Sequence, residues 1–147
     1  MKIPLRKETS MTAKQYNSLY KEARSEHQEQ VEVNRYCTKK GILMFAIPNG
    51  TNKSLTAQRM FKAEGLKSGV PDLMIPIANK YYHGLFIEMK RRAKRLKSGK
   101  KSTSHTKVNP KQLKWLNDLS ERGYCVNICY GADEAIEIIK NYMEDVG

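Results

Sequence analysis

Between residues 84 and 130 the chain places a strand, a helix and another strand in series, and this order constrains how the strands can pair. Two short apolar runs, GLFIEMK and YCVNICY, are typical of strands, and PKQLKWLNDLSERG lies between them. That intervening stretch has four residues on one face at helical spacing: Gln112, Trp115, Leu116 and Leu119. Asn109 and Pro110 suit the start of this helix, and Gly123 suits its end. The passage predicts two parallel strands joined by a right-handed crossover.

The first half of the chain predicts further helices and a strand. Ser25 and Gln28 fit a capping box that opens a helix, and Gly41 fits the end of that helix. The run ILMFAI, followed by the turn signal PNG, is typical of a strand buried on both faces. SLTAQRMFKAEG indicates a modest helix closed by Gly65, and DEAIEIIKNYMED indicates an amphipathic helix near the end of the chain.

A hairpin is predicted in the middle of the chain. DLMIPI and GLFIEMK are two strand candidates separated by about five residues, which is compatible with an antiparallel connection. Pro76 lacks an N–H donor, so it favours an edge position or a bulge. Together with the parallel pair, this hairpin predicts an α/β protein with a mixed sheet covered by helices.

Composition and charge narrow the class of protein. A chain of 147 residues is the size of one ordinary domain, and its net charge of +12 indicates a polyanionic partner. The three cysteines form neither an even disulfide set nor a paired zinc pattern, and the N-terminus lacks the apolar core of a signal peptide. No apolar run approaches the ~18 residues needed to cross a bilayer. We therefore expect a soluble protein of the cytoplasm with no membrane partner.

Asp72, Glu88 and Lys90 are charged residues on segments that otherwise predict buried strands. Glu88 and Lys90 are two residues apart, so they face the same side of their strand, roughly 7 Å apart. If Asp72 begins the adjoining antiparallel strand, it lies near Glu88 at the open end of the hairpin. Two close carboxylates repel unless a cation lies between them. Mg²⁺ would resolve this, because it accepts a few carboxylate oxygens and takes its other ligands from water and phosphate.

An ordinary ion pair on a solvated sheet face is the alternative for these three residues. Two features disfavour it. The neighbouring residues are apolar on both faces of the strand, so the strand should be covered on both sides, where unpaired charges are costly. From Met89 to Asn117 the chain has no acidic residue but eleven Lys and Arg residues, so a phosphate-binding rim adjoins the acids.

The spacing of these residues resembles a known signature. Pro71-Asp72, a gap of fifteen residues and Glu88-Met89-Lys90 resemble the PD-(D/E)XK motif of the restriction-endonuclease-like superfamily. Six blocks in order, EHQEQV, FAIPNG, GVPDLMIP, GLFIEMK, PKQLKWLNDLSERGY and GADEAIEIIKNY, resemble the virus-type replication-repair nuclease (VRR-NUC) domain. The resemblance implies a polar segment over 1–24 and a nuclease domain over 25–147. The implied fold is a restriction-endonuclease-like core, with a mixed central sheet of about four strands flanked by helices.

The resemblance also implies a set of site residues. Asp72 and Glu88 correspond to the acids that bind Mg²⁺ or Mn²⁺, and Lys90 corresponds to the motif lysine. The backbone carbonyl of Met89 is an expected extra metal ligand. Gln112 matches a helix-borne glutamine of the superfamily pattern. The implied chemistry is hydrolysis of a phosphodiester, in which Lys90 positions the attacking water or stabilises the transition state.

A glutamate on the first helix commonly completes the metal site in this family. Glu26 and Glu29 both precede Val33 at helical spacing, so either could face inward. We favour Glu26, and we keep Glu29 as the alternative.

The segment at about 91–108 is longer and more basic than the compact form of the family requires, which suggests a DNA-gripping loop. The residues expected to contact phosphates are Lys90, Arg91, Arg92, Lys94, Arg95, Lys97, Lys100, Lys101 and Lys107. Contacts to the DNA phosphate backbone carry little information about base sequence, so we expect the protein to select DNA by its shape.

Small stand-alone members of the family resemble Holliday-junction resolvases that work as homodimers in DNA repair and recombination. We therefore expect a Mg²⁺- or Mn²⁺-dependent endonuclease that cuts branched DNA as a homodimer, in a bacterial or phage setting. A monomeric flap or nicking nuclease is one alternative. A basic DNA-binding module with an inactive nuclease core is another, which the intact Asp72, Glu88 and Lys90 disfavour.

Overall fold

The structure is a computed structural model that describes residues 25–48, 54–92 and 107–147. These ranges contain four helices and four strands. In chain order they are α1 (Glu26–Lys40), β1 (Phe45–Ala46), α2 (Leu55–Ala63), β2 (Leu73–Ile75), β3 (Leu85–Lys90), α3 (Pro110–Glu121), β4 (Cys125–Tyr130) and α4 (Ala132–Glu144). The predicted polar segment over 1–24 and most of the basic segment lie outside the described residues.

Two helices begin and end where their capping residues predict. Ser25 and Gln28 form a reciprocal capping box at the start of α1, and Gly41 ends α1 in the left-handed conformation. Asn109 and Gln112 form a second capping box at the start of α3, where Pro110 occupies the first turn. A proline fits there because the first N–H groups of a helix have no partner within it.

The four strands form one mixed sheet in the order β1-β2-β3-β4. β1 pairs antiparallel with β2, β2 pairs antiparallel with β3, and β3 pairs parallel with β4. The predicted hairpin and the predicted parallel pair are therefore both confirmed. β2 is shorter than predicted, because pairing ends at Ile75 and Pro76 follows outside the strand, where its missing N–H is not needed.

β3 is the most buried strand of the sheet. Five consecutive residues from Leu85 to Met89 are buried, so helices and neighbouring strands cover both of its faces. The core around it is built from residues of α1, β2, β4 and α4, including Val33, Ile75, Cys129 and Ile139. Glu88 lies within this buried run, and it is one of the two buried charged residues in the described ranges.

The prediction that ILMFAI forms a strand buried on both faces is wrong. Only Phe45 and Ala46 form β1, both are exposed, and 48% of Phe45 is accessible to solvent. Among the strands of the described residues β1 is the outermost, with a strand partner on one side only. Short edge strands of this kind bury less of their side-chain surface than central strands do.

No helix in the described part of the chain has the length and apolar character needed to span a bilayer.

Candidate active site

The pairing of β2 with β3 brings Asp72 to Glu88. Leu73 lies opposite Ile87, and continuing this antiparallel register by one residue places Asp72 opposite Glu88, with both side chains on the same face. The backbone N–H of Met89 donates to Asp72 Oδ2 at 2.7 Å, which fixes the orientation of the carboxylate. The two acids therefore meet at the start of β2, at the open end of the hairpin, as the sequence pattern predicted.

Glu88 presents one paired and one unpaired oxygen. Its side chain is 2% exposed, and Oε1 accepts a hydrogen bond from Gln112 Nε2 at 2.6 Å. Lys90 Nζ lies 3.5 Å from the same oxygen. Glu88 Oε2 is buried and has no hydrogen-bond partner; no other side-chain oxygen or nitrogen in the described residues is in that position. A buried carboxylate oxygen without a partner is costly unless a ligand satisfies it.

Gln112 links the acid to the lysine. Its Oε1 accepts from Lys90 Nζ at 2.9 Å and from the backbone N–H of Asn109 at 3.0 Å, while its Nε2 donates to Glu88. The Gln112 amide has only one orientation that satisfies these contacts, because its oxygen must face the two donors and its NH₂ group must face the carboxylate. The capping box of α3 thus also holds the Lys90 ammonium in the site.

Burial raises the pKa of both carboxyls of the acid pair. Burial, followed by the nearby charge of Asp72, raises the pKa of Glu88 to about 7, and the Lys90 ammonium opposes this rise. Burial also raises the pKa of Asp72, although the hydrogen bond from the Met89 N–H opposes it. A pair of acids that resists ionisation in this way is typical of a site built to receive a cation.

The structure separates the two glutamates of α1. Glu26 is exposed, and its charge contributes to raising the pKa of both Asp72 and Glu88, so it lies on the side of the acid pair. Glu29 is buried, and its two oxygens accept hydrogen bonds from Arg92 Nε and from the backbone N–H of Ala132. Of the two alternatives, Glu26 is therefore the one whose surroundings suit a metal ligand.

The residues present suit a magnesium-type ion better than a zinc-type one. Within the described ranges, no three His, Cys, Asp or Glu side chains converge closely enough to hold a metal ion by themselves. Mg²⁺ needs only one or two protein carboxylates, because it keeps several waters and binds substrate phosphate. Asp72 and Glu88 are the carboxylates that would bind such an ion, and Glu88 Oε2 is a buried oxygen without a hydrogen-bond partner that the ion would satisfy.

Three of the predicted phosphate contacts lie in the described residues besides Lys90. Lys107 is exposed, Arg91 is partly buried, and Arg92 forms ion pairs with Glu29 and Asp133. The remaining five lie outside the described residues: Lys94, Arg95, Lys97, Lys100 and Lys101.

Gly69 is a residue of this site that the sequence analysis missed. Its φ is +86°, and a Cβ there would lie 2.9 Å from the backbone carbon of Lys111 and 3.1 Å from the backbone nitrogen of Gln112. The loop that carries Asp72 therefore packs directly against the first turn of α3. The only sequence signal was a glycine three residues before Asp72, which by itself indicates only a turn.

Comparison with known proteins agrees with this geometry. The family model of the VRR-NUC domain matches residues 11–133. A solved structure described as a "VRR_NUC domain protein" shares 26% sequence identity with the chain and superposes with a TM-score of 0.66, covering 83% of this chain and 90% of the other. No curated protein matches the sequence. The chain belongs to the VRR-NUC family of nucleases.

Proposed function

We propose that the protein is a metal-dependent endodeoxyribonuclease that hydrolyses phosphodiester bonds of branched DNA. The observation that carries this proposal is the buried Glu88 carboxylate, whose Oε2 has no partner and which lies between Asp72 and Lys90. An inactive DNA-binding module would have no use for such a costly group, because affinity for phosphate comes from cations and hydrogen-bond donors and not from carboxylates.

The proposed metal is Mg²⁺ or Mn²⁺, held directly by Asp72, Glu88 and the carbonyl of Met89, with the Glu26 carboxylate contributing its negative charge on the α1 side of the site. When bound, it supplies a Lewis acid that polarises the scissile phosphate. The chain itself orients the two main ligands: the Met89 N–H fixes Asp72, and Gln112 fixes Glu88. These hydrogen bonds leave Glu88 Oε2 as the oxygen directed to the ion.

Lys90 is proposed as the residue that stabilises negative charge on the phosphate and positions the attacking water. Its side chain is only 12% exposed, and its Nζ is held by Gln112 Oε1 and by the charge of Glu88. A fixed, desolvated ammonium stabilises a developing charge better than a mobile surface lysine, because no reorganisation is needed during the reaction.

Gly69 offers a test of the geometry with a matched control. Gly69→Ala is expected to lower the cleavage rate by about 10- to 100-fold, because the new Cβ pushes the first turn of α3 and Gln112 away from Lys90. Gly65→Ala is the control: its φ of +107° imposes comparable backbone strain, but nothing lies within 4 Å of the new Cβ. Steady-state kinetics of DNA cleavage by both variants test this prediction. Equal cleavage rates in Gly69→Ala and Gly65→Ala would contradict it.

The proposed substrate is a four-way junction, cut by a homodimer. Support comes from the family resemblance and from the net charge of +12, which suits a substrate with several closely spaced phosphate backbones. A two-fold symmetric junction suits a two-fold symmetric enzyme. The basic segment after β3 would contact phosphates beside the acid pair.

The experiment is to incubate the purified protein with four-way junction, flap and linear duplex DNA, with Mg²⁺ and with EDTA. We expect preferential, symmetric cutting of the junction that EDTA abolishes. Sedimentation of the protein–DNA complex should show two protomers. Preferential flap cutting by a monomer would contradict the junction assignment, and binding without cutting under every metal condition would contradict the endonuclease.

A further inference from the structure

A second charged cluster lies beside the acid pair and has no role in the proposed metal site. Glu29 is 3% exposed, although glutamate is rarely buried without a specific partner. Arg92 Nε donates to its Oε1 at 3.3 Å, and the Ala132 N–H donates to its Oε2 at 2.6 Å. Arg92 Nη2 also donates to Asp133 Oδ2 at 2.7 Å. We name the cluster of Glu29, Arg92 and Asp133 the brace.

The brace supplies α4 with a cap from another helix. Gly131 precedes α4 and has no side chain to accept a hydrogen bond from the first N–H groups. Glu29 of α1 accepts one of them instead, and its negative charge lies at the positive end of the α4 dipole. The brace therefore fastens α1 to the start of α4.

The brace also fastens the end of β3. Arg92 follows Lys90 by two residues, and the carbonyl of Lys90 accepts a hydrogen bond from the Gly131 N–H at 3.0 Å. A Cβ on Gly131, whose φ is +90°, would lie 2.5 Å from Arg92 Nε and 2.9 Å from Arg92 Cγ. Glycine at this position thus leaves the space that the Arg92 side chain occupies.

Two of the three elements joined by the brace, α1 and β3, carry proposed site residues. Glu26 lies one helical turn before Glu29 on α1, and Glu88 and Lys90 lie four and two residues before Arg92, at the end of β3. A guanidinium can bind two carboxylates at once through its planar fork of donors, which an ammonium cannot do with the same geometry.

We propose that Arg92 is a positioning residue that, through Glu29, sets the distance between α1 and the end of β3 and so the place of Glu26 relative to Glu88. Arg92 is then not a phosphate contact, although it begins the basic segment. This assignment rests on the proposed endonuclease for its kinetic readout. It predicts a defect in kcat rather than in DNA binding, because the residue acts through the arrangement of the site.

The test compares Arg92→Lys and Arg92→Gln with the wild type, measuring kcat, KM and the slope of log DNA affinity against log salt concentration. Both variants are expected to lose about 10- to 100-fold in kcat, with unchanged KM and unchanged salt slope. Glu29→Gln should give the same kcat defect, and the double variant Glu29→Gln/Arg92→Gln should lose little more. Arg35→Gln, which removes the charge of an exposed arginine paired with Glu32 on α1, is the matched control for lost charge and should leave kcat and the salt slope unchanged.

Two results would overturn the proposal. If Arg92→Gln lowers the salt slope by about 0.9 while Arg92→Lys behaves as the wild type, Arg92 contacts a phosphate. If all brace variants keep the wild-type kcat well below their melting temperatures, the brace serves only stability. A wild type that cuts no DNA would defeat the proposed function instead, and the salt slope would still decide whether Arg92 contacts phosphate.

Discussion

Replacing Asp72 by Asn is expected to lower the rate of DNA cleavage by at least ~10²–10³-fold while leaving DNA affinity at or above the wild-type level. The carboxylate supplies one of the two main proposed metal ligands, and the amide is a far weaker ligand for a hard cation. The substitution also removes a negative charge that repels the bound phosphate, so DNA affinity should not fall. Single-turnover cleavage and an equilibrium binding assay measure the two effects separately.

Asp118→Asn is the matched control for this prediction. Asp118 is an exposed acid on α3 that pairs with Lys114 four residues earlier, so the same chemical change is made away from the acid pair. Its cleavage rate should equal that of the wild type. Cleavage that survives Asp72→Asn at more than a tenth of the wild-type rate would contradict the assignment of Asp72.

Glu88→Gln is expected to stabilise the metal-free protein at neutral and higher pH, although it abolishes cleavage. The pKa of Glu88 is raised from its ordinary value of 4.5 to about 7, so the folded state binds this proton more tightly than the unfolded state. The contribution of Glu88 to the free energy of unfolding is therefore largest below pH 4.5. It is lost as the pH rises through about 7. A shift of this size corresponds to about 3 kcal/mol.

Urea unfolding of the metal-free protein between pH 5 and pH 8 checks this effect. The wild type should lose stability across the range, and Glu88→Gln should lose less, because glutamine has no proton to release. Adding Mg²⁺ should restore the stability of the wild type but not that of the variant, since a ligand that binds only the folded state stabilises it. Parallel pH profiles for the two proteins would contradict the raised pKa.

The main elements of the fold follow from local signals. The two capping boxes, Pro110 at the start of α3 and the glycine after α1 each mark a helix end, because helix termini need partners for backbone groups close in sequence. The parallel pair of β3 and β4 follows from the helix between them. The meeting of Asp72 and Glu88 was predictable too, because strand alternation and a short hairpin leave few other arrangements.

Interactions between residues distant in sequence could not be predicted. Glu29 meets Arg92 after 63 residues and Ala132 after 103 residues, and no periodicity or spacing connects them. For the same reason, Glu26 and Glu29 could not be separated from sequence, because they lie one helical turn apart on α1. Only the packing of Arg92 and α4 shows that Glu29 is the buried, hydrogen-bonded one and that Glu26 is exposed. The exposure of β1 was missed because an apolar run does not reveal whether its strand is central or at an edge.

The proposed function requires Asp72 and Glu88 together to receive a divalent cation. Calorimetric titration of Mn²⁺ into the metal-free protein at pH 7, in two buffers of different ionisation enthalpy, measures both the affinity and the protons released. We predict binding by the wild type with release of about half a proton, since a carboxyl with a pKa of about 7 is half protonated there. Both binding and release should be lost in Asp72→Asn and Glu88→Gln. Equal Mn²⁺ affinity in the wild type and the two variants would contradict the claim.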